Sequence, residues 1–205
     1  MKHSPVERVR QASVTLRPWS QESIAARNRN QAEMLRGYIS PGQTVLDIGC
    51  GTAHLTECVG QMFGAVVTGV DVQDIRVQQV PFYLFDGTSL PFEDQSFDHI
   101  ILSFTLHHCH DPQALIEECR RVARLTVMAF EDLPEGPIGR KLVALHVEAF
   151  RLQYRLKLRG GDYRSALDWI CRKALRVDRI PLPFEWFDRL YVPRHLLVYV
   201  LAEDA

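Results

Sequence analysis

The chain has no CxxC pair: its five cysteines, Cys50, Cys58, Cys109, Cys119 and Cys171, are odd in number and scattered. That fits free thiols in a reducing compartment, and no disulfide framework is expected. No apolar run approaches the ~18 residues of a membrane span, and the opening "MKHSPVERVR" lacks the roughly 7–15-residue apolar core of a signal peptide. A cytoplasmic protein with no membrane contact is therefore expected. Charge of neither sign dominates, since 24 Lys and Arg stand against 25 Asp and Glu for a net charge of −1. This balance gives no electrostatic reason to expect nucleic acid or an anionic membrane as a partner. Internal repeats and low-complexity segments are also missing. What is there is 205 residues, 46% of them hydrophobic, enough for one domain with a full core at ~150 residues per domain.

Two helices open the chain. Ser4, Pro5 and Glu7 have the spacing of a capping box and start a short helix to about Ser13. Ser20 caps a longer one to about Gly37, with Ile24, Met34 and Leu35 as its apolar contacts. From Pro41 short apolar runs alternate with polar helical stretches, the signature of βαβ units and a parallel sheet. Strands are expected at about 43–48, 66–71, 82–86, 97–103 and 125–131. Helices are expected at about 53–63 and 111–123, the latter opened by Asp111 as cap and Pro112 as first residue. The segment 72–81, "VQDIRVQQVP", is barely long enough for a parallel crossover, so an abbreviated helix or a loop is expected there.

In the last third, Leu142, Leu145, Ala149, Leu152 and Leu156 recur at helical spacing over 138–158, opposite Glu148, Arg151, Arg155 and Arg159. The acidic and basic face is expected to be solvated. Gly160 and Gly161 end that helix, a second follows at about 162–173, and strands near 174–180 and 195–203 close the chain. Pro181, Pro183 and Pro193 bound a long ordered loop.

The stretch "VLDIGCGTAHLT", residues 45–56, runs through Asp47-Ile48-Gly49-Cys50-Gly51 and turns at once into helix. Glycines there let a ligand approach the backbone with no Cβ in the way, and the helix N-terminus offers free N–H groups. The next strand, "AVVTGVDV", ends at Asp71, about 24 residues after Asp47. A carboxylate at that tip is placed to accept both hydroxyls of a ribose, so a ligand containing a nucleoside is expected. The third strand ends at Asp86-Gly87. Each acid alone reads equally well as a cap or turn former. Asp47, Asp71 and Asp86 together mark the carboxyl edge, where open α/β sheets bind ligands.

With "GVDV", "FDGTSLPFEDQSFD" and "LHHCHDPQALIEECRRVAR" added in the same order, residues 41–131 resemble a class I S-adenosylmethionine-dependent methyltransferase of the small-molecule, methyltransferase-11-like type. The resemblance implies an α/β, Rossmann-like three-layer sandwich around a seven-stranded, mostly parallel sheet with an antiparallel last strand. It implies that Asp47, Gly49 and Gly51 line the methionine end of S-adenosylmethionine, Asp71 holds the ribose, and Asp86 with Gly87 faces the adenine. Cys50, Val72 and Ser103 belong to the same expected cofactor wall. One domain, 1–205, then divides into an N-terminal helical lid (1–40), a cofactor-binding core (41–131), a helical insert (132–173) and C-terminal strands (174–205). Two features depart from the family's pattern. Ala53 stands where a third glycine is usual, which keeps close approach but removes the freedom for positive φ, and the helix after the second acid is cut short. A nicotinamide-binding Rossmann domain would need glycine or alanine at position 54, which is His54.

The stretch "SFTLHHCHDP" follows the fourth strand, facing the expected methyl group. Methylases of exocyclic base amines carry an acid or asparagine, two prolines and an aromatic there. Ser103-Phe104-Thr105-Leu106 does not fit that acceptor. His107 and His108 are candidates to line the acceptor pocket, one of them as a base, since an unperturbed imidazole has a pKa near 6.5. The alternative is that His107 packs or caps while His108 points into the sheet. A zinc site built from His107, His108, Cys109, His110 and Cys119 is not expected, because four consecutive residues cannot easily aim at one ion. Glu131 and Asp132 either meet an acceptor or cap the next segment. Trp19, Trp186 and Phe187 close over the site or pin their loops. The expected function is methyl transfer to a small, fairly apolar acceptor shaped by 1–40 and 132–195. A non-catalytic cofactor-binding partner, or a protein or tRNA methyltransferase with a basic groove at the site mouth, are the alternatives. The oligomeric state stays open.

Overall fold

The computed structural model describes residues 21–133, 136–154, 163–182 and 194–202. The helix expected at 4–13, the Gly160–Gly161 stop, and Trp19, Arg155, Arg159, Trp186 and Phe187 lie outside them. In chain order the elements are α1 (Gln21–Met34), β1 (Thr44–Ile48), α2 (His54–Phe63), β2 (Val66–Asp71), β3 (Phe82–Leu84) and β4 (Phe97–Ser103). A single 3-10 turn at Leu106–His108 precedes α3 (Pro112–Val122) and β5 (Ala123–Asp132). Helices α4 (Gly136–Tyr154) and α5 (Tyr163–Cys171) and strands β6 (Arg176–Pro181) and β7 (Arg194–Val200) complete the set.

The strands form one seven-stranded sheet in the order β3-β2-β1-β4-β5-β7-β6. The pairs β1–β2, β1–β4, β2–β3 and β4–β5 are parallel, whereas β7 runs antiparallel to both β5 and β6. This is the Rossmann-like three-layer architecture that the sequence implies. Strands β1, β4 and β5 are nearly continuous apolar runs because both sheet faces are covered. On one face Leu46, Ile48 and Leu102 pack with Ile116 of α3 and Leu167 of α5. On the other, Ile101, Met128 and Phe130 pack with Leu35 just past α1 and with Leu55 and Val59 of α2. The chain order reverses between β1 and β4, and the crevice at such a switch point is where open α/β sheets take ligands.

Local chemistry accounts for the element ends. Asp111 Oδ1 accepts the Ala114 N–H at 3.0 Å and Pro112 takes the first helical position, as the sequence predicts for α3. Residues 72–81 contain no helix. Val80 is buried there, and the Arg76 guanidinium lies 4.2 Å over the Phe82 ring while donating to the Val80 carbonyl at 2.7 Å. One cation–π contact thus covers part of the sheet face that a crossover helix would otherwise cover.

Three expectations need correction. Helix α1 ends at Met34, because the chain turns at Leu35–Tyr38 and Gly37 sits at φ 92. In α4 Val143 is packed, 8% exposed, and Leu145 is 67% exposed, so Leu145 lies off the packed face that the helical spacing assigned to it. Ala53 does adopt positive φ, at 62 degrees, and is fully buried. Its methyl group does not prevent the left-handed bend; it makes the bend cost about 1–2 kcal/mol.

Candidate active site

The bend after β1 is fixed by β2. Gly49 N–H and Cys50 N–H both donate to the Val70 carbonyl, at 2.8 and 3.1 Å. The glycines there have different jobs. At Gly49, φ 70, a Cβ would come within 2.6 Å of the Thr105 side chain, so this position serves close packing against the β4 tip. At Gly51, φ 53, a Cβ would meet nothing within 4 Å, so the bend faces open space. Cys50 is 9% exposed and packs over Gly69 of β2, where a Cβ would sit 2.8 Å from its sulfur. Burial raises its thiol well out of the reactive range.

Asp47 is 1% exposed beneath this bend. Its Oδ2 accepts the Thr56 hydroxyl at 2.6 Å, and its Oδ1 has no hydrogen-bond partner among the described residues. Burial first, and the charge of Asp71 in addition, raise its pKa to about 7 against the pull of the Thr56 hydrogen bond. At the next tip Asp71 Oδ2 accepts the Gly51 N–H at 2.8 Å, which puts the two-glycine bend and the second acid side by side as the spacing requires. Burial also raises the pKa of Asp71. Val72 lies against Gly87, 3.4 Å from where a Gly87 Cβ would be. Asp86 spends Oδ1 on its own turn, accepting from Thr88 N, Thr88 Oγ1 and Ser89 N at 2.8–2.9 Å, and these bonds hold its pKa low. Its demonstrated role is thus the turn that presents Gly87.

At the β4 tip, Ser103, expected on the cofactor wall, meets a side chain that the sequence did not single out. Ser103 Oγ accepts from Gln31 Nε2 at 3.2 Å, so α1 delivers a buried amide to the edge of the site. Phe104 follows at φ 53, pinned by its N–H to the Phe130 carbonyl at 2.8 Å and covered by the Arg194 guanidinium 5.1 Å above its ring. A bulky side chain in the left-handed region is strained, as is Ala53, and the two flank one crevice. A polar Gln31 amid the apolar Ala32, Met34 and Leu35 is the only sequence signal that would have found that side chain.

Behind the tip lies a buried ion-pair cluster. Glu131 is 0% exposed and accepts both the Leu106 N–H and His107 Nδ1, each at 2.8 Å. Burial pulls the His107 pKa down, but the Glu131 charge and hydrogen bond outweigh it and the net shift is upward. The His108 ring lies 4.1 Å from that of His107 and is half-buried. Next along β5, Asp132 pairs with Arg194 at 2.8 Å, and its carbonyl accepts the Tyr163 hydroxyl. Glu131 therefore clamps the loop carrying both histidines to the end of β5. The two cysteines of the zinc set that the sequence argued against are engaged in the core: Cys109 donates to the Thr105 carbonyl, and Cys119 is fully buried.

These residues fit S-adenosylmethionine. An orphaned, buried carboxylate oxygen at Asp47 suits a cationic group, Asp71 suits vicinal hydroxyls, and the open side of Gly51 leaves room between them. The raised Asp47 pKa makes a checkable prediction. A folded value near 7 against an ordinary 3.8 means that this carboxyl favours folding below pH 3.8 and loses that contribution as pH rises through about 7. Asp47→Asn, which cannot ionise, is expected to melt a few degrees above the parent at pH 8, at roughly 2–4 °C per kcal/mol, with the gap closing at pH 5. A variant melting lower by the same amount at both pH values would contradict a strained carboxylate.

The comparisons with known proteins agree with this geometry. A family described as "Methyltransferase domain" matches residues 46–126. The chain is 36% identical over 101 residues to a demethylmenaquinone methyltransferase of Corynebacterium efficiens, covering 45% of this chain and 44% of that protein. It thus spans less than half the length of that curated relative. Among solved structures, the YcgJ protein of Bacillus subtilis superposes at TM-score 0.62 with 17% identity, over 86% of this chain and 99% of that one. The [4+2]-cyclase SpnF superposes at TM-score 0.60 with 16% identity, over 89% of this chain and 82% of that one. The family match over 46–126, that sequence likeness and the strand order give residues 46–126 as a methyltransferase domain, set in the fold of the class I, S-adenosylmethionine-dependent methyltransferases that the chain is similar to.

Proposed function

We propose that the chain transfers a methyl group from S-adenosylmethionine to a small, rather apolar acceptor. The observation that carries this reading is the contact between Asp71 and the Gly51 amide, beside the unpartnered Oδ1 of Asp47. In this reading Asp71 holds the ribose, Asp47 faces the cationic methionine end, and Val72 with Gly87 borders the adenine. When bound, the cofactor supplies a methyl carbon already activated by a sulfonium leaving group. The protein's own work is alignment and exclusion of water, which can be worth ~7–11 kcal/mol. Glu131 holds the His107–His108 loop in place and keeps His107 supplied with a proton partner, so a protic acceptor could be deprotonated locally.

Relatives named for demethylmenaquinone support a flat, apolar acceptor. The domain plan, with α1 as a lid and α4 and α5 as the acceptor insert, belongs to the same proposal. So does a reducing, cytoplasmic setting, supported by five free cysteines and by the lack, among the described residues, of a helix long and apolar enough to cross a membrane. The fold also serves a [4+2]-cyclase, so architecture alone does not decide for methyl transfer. The deciding experiment incubates purified protein with methyl-labelled S-adenosylmethionine and a cell extract, then separates small molecules, protein and RNA. Label in the small-molecule fraction is expected. Label in protein or RNA, or cofactor binding with no transfer to any fraction, would overturn the acceptor class.

A further inference from the structure

We propose that the segment beginning with α4 docks on an anionic lipid bilayer, with the helix lying in the plane of the headgroups. Over residues 136–159, Arg140, Lys141, Arg151, Arg155, Lys157 and Arg159 stand against Glu148 alone, a net charge of +5. The whole chain carries −1, so everything outside this segment sums to −6. Counting Glu135 and Asp162 at its borders still leaves the segment at +3. The even balance of the full sequence therefore conceals one basic segment on an acidic protein. A bilayer rich in anionic headgroups attracts that segment and repels the remainder, which fixes how the chain faces the surface.

Helix α4 has a packed side and a second apolar side. Gly139 and Val143, four residues apart, are buried. Ile138 is 75% exposed and Leu145 67%, although both are large and apolar. Positions seven apart lie within about 20° of one another around a helix, so these two share one stripe, and Leu145 sits about 200° beyond Val143. Lys141 lies beside that stripe and Arg140 farther round; both are exposed, and neither is ion-paired among the described residues. In the sequence the same spacing runs on through Ala149, Leu152 and Leu156, with Arg151, Arg155 and Arg159 alongside. No other described element packs along α4. An apolar stripe edged by Lys and Arg suits a membrane interface: the stripe enters the acyl boundary while the long basic side chains reach back to the phosphates. The amino end of the helix at Gly136 adds roughly half a positive charge. RNA would match the cations but offers nothing to Ile138 and Leu145. Because α4 starts four residues after Asp132 at the tip of β5, a bilayer holding its first turn lies at the carboxyl edge of the sheet, where the crevice is. An apolar acceptor dissolved in lipid then reaches the site without crossing water. That consequence alone depends on the methyl-transfer reading; lipid binding needs neither cofactor nor acceptor.

The full chain is mixed at ~0.15 M salt with vesicles of phosphatidylcholine, or of equal parts phosphatidylcholine and phosphatidylglycerol, and the bound fraction is read by co-sedimentation. Binding to the anionic vesicles is expected to be at least about tenfold tighter than to the zwitterionic ones. At about fivefold per cation, Arg140→Ala combined with Lys141→Ala should weaken it about 25-fold. Ile138→Ser combined with Leu145→Ser should weaken it by about tenfold or more. All four side chains are exposed, so both double variants should melt with the parent. Leu145→Trp keeps the apolar bulk; it should bind as the parent does and gain fluorescence that brominated acyl chains quench. The proposal is overturned if the chain does not bind the anionic vesicles or binds both compositions equally. It is also overturned if the Ile138→Ser, Leu145→Ser variant binds as the parent does, which is the behaviour of a polyanion site such as one for RNA.

Discussion

Asp71→Ala is expected to weaken the binding of S-adenosylmethionine and of its demethylated product by about 100- to 1000-fold, with little change in melting temperature. The carboxylate does two things at once. It accepts the Gly51 N–H at 2.8 Å, fixing the bend, and it offers oxygen acceptors to a ribose from the tip of β2. A hydrogen bond to a charged group is worth about 1.5–3 kcal/mol, and losing two of them near the lower end of that range, as suits a half-buried tip, costs roughly two to three decades of affinity. The fold should tolerate the change because Asp71 is half-buried at an element end and burial already disfavours its charged form. Asp71→Asn keeps an acceptor for Gly51 and should fall between the two. Titration calorimetry checks this, and a dissociation constant within threefold of the parent in Asp71→Ala would remove the ribose role.

Glu131→Ala is expected to be the most destabilising of these substitutions, at about 3–5 kcal/mol, because it leaves the Leu106 N–H and His107 Nδ1 without their acceptor in a site closed to water. At roughly 2–4 °C per kcal/mol that lowers the melting temperature by about 10 °C. Glu131→Gln retains one acceptor oxygen and should recover most of the loss, so thermal melts of the pair separate charge from packing. The charge itself appears in the pH dependence. Because Glu131 raises the His107 pKa, the stabilisation is complete below the ordinary imidazole value near 6.5 and is lost as pH rises through the raised value. The advantage of the parent over Glu131→Gln should therefore shrink above pH 6.5. If it stays constant to pH 9, the imidazolium is not part of the pair.

What could be read from sequence depended on whether the deciding contact was local. Strand β4 falls where its apolar run places it, because a central parallel strand is buried on both faces and leaves an unmistakable pattern; β2 also falls at 66–71, although its first residues are partly exposed. Asp111 and Pro112 cap α3 through bonds within four residues. The contact between Asp71 and Gly51 follows from a motif whose spacing is set by one βαβ unit. Positive φ at Ala53 and Phe104 was not legible, since both residues are held there by tertiary partners: the covered α2 entry for one, the Phe130 carbonyl for the other. Gln31 was missed for the same reason, as its partner Ser103 is 72 residues away. Leu145 was misplaced because helical spacing gives a stripe but not the rotation of that stripe toward its neighbours.

The most direct measurement is the titration of the unmodified chain with S-adenosylmethionine at pH 6 and pH 8. A saturable one-to-one isotherm is predicted, roughly micromolar at pH 8 and weaker at pH 6, because a cation bound beside Asp47 requires the carboxylate and that group titrates near 7. Absence of saturable binding at both pH values, up to millimolar ligand, would contradict the assignment of this crevice to an adenosyl sulfonium.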